Sequence, residues 1–211
     1  MPSFGSKSAQ ALEESAELVS DGHTSLAFNT LVHQCRADRK YHILDLGSAF
    51  GENVEFFSQI RCRLYIENFY KTFSSFDYLS PEGDGPSYEK VFEYLLPFPK
   101  GTRFDIILTW DLLNYLDRKE FRHLIGHLGH YCQPGTLLLA LISTLKHIPE
   151  KPINFRIINQ EKLLYQNTST VLRACPHYQQ TDFNHLMPDF RVCNSFLLRN
   201  GIKEYLFVYG I

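Results

Sequence analysis

A chain of 211 residues, 44% hydrophobic and 21% charged, has room for one full domain and the composition of a folded one. Its 21 Lys and Arg against 23 Asp and Glu give a formal net charge of −2, which offers no general attraction to nucleic acid or to an anionic membrane surface. Five widely spaced cysteines without a Cys-x-x-Cys pair argue against a disulfide framework or a thiolate zinc site, and no apolar run approaches the roughly 18 residues of a membrane span.

Leu12, Ala16, Leu18 and Val19 predict a short amphipathic helix over 9–19, and a second helix is expected over 25–35. His42-Ile43-Leu44-Asp45-Leu46-Gly47 is an apolar run ending in a glycine turn, the pattern of a buried parallel strand, with a helix expected over 52–60. A second strand is read over 63–67 and a helix over 68–76. Ser80-Pro81-Glu82-Gly83-Asp84-Gly85-Pro86 reads as a loop. The segment 91–96 fits a strand or a helix equally.

Phe104 to Trp110 is the clearest strand. Asp117 and Glu120 have capping-box spacing, and Phe121, Leu124, Ile125 and Leu128 form one apolar helix face behind them. His123, His127 and His130 lie opposite that stripe and read as a solvated face rather than a metal site. A strand follows over 136–142. The region 143–189 looks irregular, with helices expected over 160–165 and 181–186. Two strands, 191–198 and 203–209, flank Asn200-Gly201, which predicts a hairpin with a type I′ turn.

The segment Asp45-Leu46-Gly47-Ser48-Ala49-Phe50-Gly51 carries the chemistry. A strand delivers a carboxylate, and glycines at 47 and 51 let backbone approach a ligand. Glu67 ends the next strand about 20 residues on, the spacing of a carboxylate that accepts from ribose hydroxyls. Glu52 at the helix entry disfavours a phosphate there, and Asp45 suits a ligand amino group instead.

With Asp-x-Gly-x-x-x-Gly at 45–51, the acidic strand end at Glu67 and Phe104-Asp105-Ile106-Ile107-Leu108-Thr109-Trp110-Asp111-Leu112-Leu113-Asn114-Tyr115-Leu116, the chain resembles the class I S-adenosylmethionine-dependent methyltransferases. It departs from them at Ala49, where a glycine is common, and in lacking a clear third-strand acid, for which Glu93 is the candidate. The resemblance implies an α/β fold: a Rossmann-like seven-stranded sheet with helices on both faces and a C-terminal antiparallel hairpin. It implies one domain over 1–211, with 1–36 as a helical lid or cap. The cofactor implied is S-adenosyl-L-methionine, the product S-adenosyl-L-homocysteine. Asp45, Gly47, Ser48, Ala49 and Gly51 would hold the methionine part and Glu67 the ribose. Asn68 or Phe69, with residues 92–94, would border the adenine. Asp111 or Trp110 would border the transfer site.

Asp111, at a strand's carboxyl end, either touches cofactor or acceptor or caps the following helix. His147, after the fifth strand, either takes a proton from the acceptor or is a surface histidine. The rings at Phe155, Tyr165, Tyr178, Phe183 and Phe190 are packing, with a few able to line an apolar acceptor pocket. The turn at 111–114 lacks the Asn/Asp-Pro-Pro-Tyr/Phe of adenine amino-methyltransferases, and the fifth strand lacks the Lys of RNA 2′-O enzymes. The expectation is therefore methyl transfer to an O or N atom of a small molecule in the cytoplasm, with a protein acceptor or partner as the lesser case, no nucleic acid and no membrane. The alternative is a cofactor-binding relative without catalysis that acts through a protein partner.

Overall fold

The computed structural model describes residues 22–75 and 87–210. The helix expected over 9–19 and the loop 80–86 lie outside the described residues. Helices α1 (Leu26–His33), α2 (Gly51–Ser58), α3 (Phe69–Ser74), α4 (Tyr88–Leu95), α5 (Arg118–Gly129) and α6 (Phe183–Leu186) surround a six-stranded sheet. That sheet contains β2 (Tyr41–Asp45), β3 (Cys62–Ile66), β4 (Ile106–Trp110), β5 (Leu137–Ser143), β10 (Phe190–Leu197) and β11 (Ile202–Tyr209). Short strands β1 (His23–Thr24), β6 (His147–Pro149), β7 (Asn154–Ile157), β8 (Lys162–Gln166) and β9 (Leu172–Ala174) build two small sheets, β1-β8-β7 and β6-β9.

The large sheet runs β10-β11-β5-β4-β2-β3. Its β3, β2, β4 and β5 are parallel, and β11 joins β5 antiparallel, with β10 hairpinned outside it. The expected seven strands are six among the described residues. The ambiguous segment 91–96 falls mostly in α4 and buries Val91, Phe92 and Leu95, so β3 is the edge and Glu93 is exposed on a helix. The closing hairpin forms, but not with a type I′ turn. Gly201 alone is left-handed (φ 77°), and Leu198 N–H donates to Ile202 O at 2.8 Å around a three-residue loop.

Alternate residues of the strands feed two cores. Leu44, Ile107, Leu138 and Phe207 face α3–α6, whereas Ile43, Ile106, Leu139 and Leu206 face α1, α2 and the β7–β8 hairpin. The described part of the expected N-terminal cap, α1, buries Ala27, Phe28 and Leu31 against that second face, so it is core. Glu204 of β11 sits under it and accepts from Ala27 N–H at 2.9 Å. The capping box of α5 forms in full. His127 departs from the expected solvated face: it is buried against α4, its Nε2 3.4 Å from Leu96 O.

The region 143–175 is not irregular. The helix expected over 160–165 does not form: 162–166 is strand β8, paired with β7 and with β1 from the other end of the chain. Asn53 of α2 clips this insertion down: its Nδ2 donates to Phe155 O (3.0 Å) and its Oδ1 accepts from Ile157 N–H (2.8 Å). The insertion therefore lies over the carboxyl ends of β2, β4 and β5. Among the described residues, no helix is long and apolar enough to cross a membrane.

Candidate active site

Asp45 closes β2 and is 1% exposed. Its Oδ1 accepts from the Gly47 backbone N–H (2.9 Å) and from the Trp110 indole Nε1 (2.6 Å), while Oδ2 is buried without a partner. Burial pushes this carboxyl up to about 6 against both hydrogen bonds. Trp110 ends β4 in the left-handed region (φ 48°), uncommon for a bulky residue and costing on the order of 1–3 kcal/mol. Two contacts hold it there: the bond to Asp45, and a parallel stack on Phe155 at 5.4 Å and 6°.

The two glycines of the turn differ. A β-carbon on Gly47 would lie 2.7 Å from Trp110 Cδ1, so glycine is required there by the indole as much as by any ligand. A β-carbon on Gly51, the first residue of α2, would meet nothing within 4 Å.

A cavity of about 160 Å³ opens above the turn. Gly47, Ser48, Asn68, Trp110 and Asp111 line it, so the structure brings these five expected residues together. Asn68 caps α3, accepting from Lys71 N–H at 3.4 Å, and its Nδ2 donates to Ser48 Oγ at 3.1 Å. Asp45 lies behind the wall. Ala49 and Gly51 are exposed outside it, and Glu67 is half-buried at the end of β3 without lining it. Phe69 faces the core instead, 1% exposed and stacked on Phe73 at 5.2 Å. The insertion adds Lys151, Ile153 and Phe155 to the wall; of these only the Phe155 ring carried a signal in the sequence.

Asp111 does not cap the turn of 3-10 helix over Leu112–Tyr115 that follows it. Its Oδ2 instead accepts from Ile153 N–H at 2.9 Å, and the residue is 5% exposed. Burial raises its carboxyl to about 7, with the backbone hydrogen bond from Ile153 opposing the rise. Asn114 braces this corner: Nδ2 donates to Asp111 O and Leu141 O, both at 2.9 Å, and Oδ1 accepts from Ser143 N–H at 2.9 Å. The signal for it was a lone polar residue inside an apolar run, which has to be hydrogen-bonded if buried.

A second cavity, of about 510 Å³, lies over the ends of β5 and β11. It shares Asp111 and Ile153 with the first, so Asp111 stands on the wall between the two. His147 is exposed on β6 and lines this second cavity. A carboxyl near neutrality between two chambers at the carboxyl edge of a parallel sheet can hold or receive a proton from a group placed in either.

No family model matches this chain, and no curated protein matches it in sequence. Its fold is similar to that of solved proteins. A S-adenosylmethionine-dependent methyltransferase from Clostridium acetobutylicum superposes with a TM-score of 0.53 at 10% identity, covering 97% of this chain and 100% of that one. A TehB-like SAM-dependent methyltransferase from Corynebacterium glutamicum gives 0.50 at 10% identity, covering 96% and 97%. The chain has the class I S-adenosylmethionine-dependent methyltransferase fold.

Proposed function

We propose that this protein transfers a methyl group from S-adenosylmethionine to an O or N atom of a small molecule. The observation that carries this reading is Asp111 on the wall between the two cavities. The residues over the glycine turn suit the cofactor's zwitterionic end. Lys151 and Lys71 line the cavity and match its carboxylate, while Asp45, behind the wall, holds the turn by accepting from Gly47 N–H. Glu67, at the end of the neighbouring strand, is the residue proposed for the ribose.

Bound S-adenosylmethionine supplies a methyl group already activated by the positive sulfur. The chain's own task is to align the acceptor atom, and such positioning contributes up to roughly 7–11 kcal/mol. Asp111, fixed by Ile153 N–H, takes the proton that the acceptor atom loses, a contribution of about 10²–10⁴-fold in rate. His147 is the second candidate for that role.

Trp110 is the single tryptophan of the chain, so its emission reports directly on the first cavity. Titration with S-adenosylhomocysteine is expected to change that emission saturably. An unchanged emission with no heat of binding, or tighter binding of a nicotinamide dinucleotide, overturns the cofactor reading. Glu67→Ala is expected to weaken S-adenosylhomocysteine by about 1.5–3 kcal/mol, the size of hydrogen bonds to a charged group. Equal affinity for this variant in calorimetry removes Glu67 from the site.

A further inference from the structure

The larger cavity has a chemistry of its own. Its volume, about 510 Å³, falls inside the roughly 300–1,000 Å³ of small-ligand sites. Tyr115, Leu141, Ile148, Ile153, Tyr165 and Ile202 make much of its wall apolar. Leu145 and Leu172 also line it, yet remain 49% and 63% exposed. Large aliphatic groups left in water beside an apolar space mark a surface that gains by being covered.

Its charge is one-sided. Among the described residues, no Lys or Arg lines the cavity, its one carboxylate is Asp111, and its two histidines are His147, exposed at the rim, and His23, whose pKa burial lowers. Behind the wall, Glu204 keeps Oε1 buried without a partner, and Tyr165, whose ring lines the space, buries an unpartnered hydroxyl. A phosphate or carboxylate entering here would meet a like charge and no Lys or Arg on the wall, whereas a cation would meet Asp111 and the Tyr165 ring, the Tyr115 ring being already covered by Arg173 at 5.8 Å.

Resting on the methyl-transfer reading above, we propose that this cavity takes a small apolar ring-bearing amine whose nitrogen sits at Asp111. The ammonium gives one proton to the Asp111 carboxylate, which frees the nitrogen lone pair. The N–C bond then forms as the S–C bond breaks, the sulfur becoming neutral and the nitrogen cationic. The proton on Asp111 leaves to water when the product departs.

Three probes share one skeleton and differ only in the head group: 2-phenylethylamine, 2-phenylethanol and 3-phenylpropionate. Calorimetry on the full chain without cofactor reads binding alone. The amine is expected to bind at least tenfold more tightly than the alcohol, with no binding of the propionate. Asp111→Asn should lower amine affinity at least tenfold and leave the alcohol within twofold. Ile202→Trp, which fills the cavity, should abolish binding of both, with circular dichroism confirming its fold. The inference is overturned if the alcohol matches the amine, if the propionate binds best, if none of the three binds, or if folded Ile202→Trp keeps the amine. Failure of the cofactor reading shows separately, as loss of the Trp110 response to S-adenosylhomocysteine with amine binding intact.

Discussion

Asp111→Asn should stabilise the fold at pH 8 by roughly 2–4 kcal/mol and leave it nearly unchanged at pH 4. Burial lifts this carboxyl from an ordinary 3.8 to about 7. Between those values the native state keeps a proton that the unfolded chain has released. Stability therefore falls as pH rises through that window and is constant above it. At pH 8 the folded protein carries a buried carboxylate disfavoured by desolvation, and at pH 4 it carries mostly a neutral acid. Asparagine never titrates, and its side-chain oxygen can still accept from Ile153 N–H, which the carboxylate does at 2.9 Å. Urea unfolding followed by circular dichroism at the two pH values measures the difference. Equal or lower stability of the variant at pH 8 would contradict the desolvation of the Asp111 carboxylate. The same substitution should lower methyl transfer by about 10²–10⁴-fold, because the proton acceptor is gone. Gain in stability with loss of activity is the signature of a residue kept for chemistry at a cost to the fold.

The parts of this molecule legible in the sequence are those decided locally. The run into Asp45 and Gly47, the strand 106–110 and the Asp117–Glu120 box each depend on residues within one turn or one pleat of each other. The insertion was not legible for the opposite reason. Strand β8 is fixed by pairing on both edges, with β7 beside it in sequence and with His23 and Thr24 nearly 140 positions away, and segments of three to five residues are too short for periodicity to separate strand from helix. Segment 91–96 shows the same limit within one turn, where Val91, Phe92 and Leu95 fit both patterns until α4 buries them. Spacing placed Glu67 at a strand end, and the structure agrees. Spacing carries no information on side-chain direction, so neither the absence of Glu67 from the cavity wall nor the turn of Phe69 into the core could be read. Trp110 was placed beside the site, but that its indole lies on Gly47 follows from a positive φ and a stack on a ring 45 positions later.

Gly47→Val should remove the first cavity's binding function and cost about 2–5 kcal/mol of stability, by overpacking and by stripping a hydrogen bond from a buried carboxylate. The β-carbon alone would stand 2.7 Å from Trp110 Cδ1, 2.9 Å from its Nε1 and 3.1 Å from Asp45 Oδ1. None of the three can retreat cheaply. Trp110 is 3% exposed and held between Phe155 and Asp45, and Asp45 is 1% exposed at the end of a central strand. The indole must therefore leave, which breaks its bond to Asp45 and adds to the burden of a carboxylate that already buries one unpartnered oxygen. Because no other tryptophan is present, the displacement is visible as a red shift of the emission. Gly51→Ala is the control, since its β-carbon meets nothing within 4 Å and alanine suits a helical position better than glycine. It should keep the native emission and the native affinity for S-adenosylhomocysteine, while Gly47→Val shows neither. Native emission, stability and affinity in Gly47→Val would mean that the ligand does not sit over this turn and that the indole is free to move.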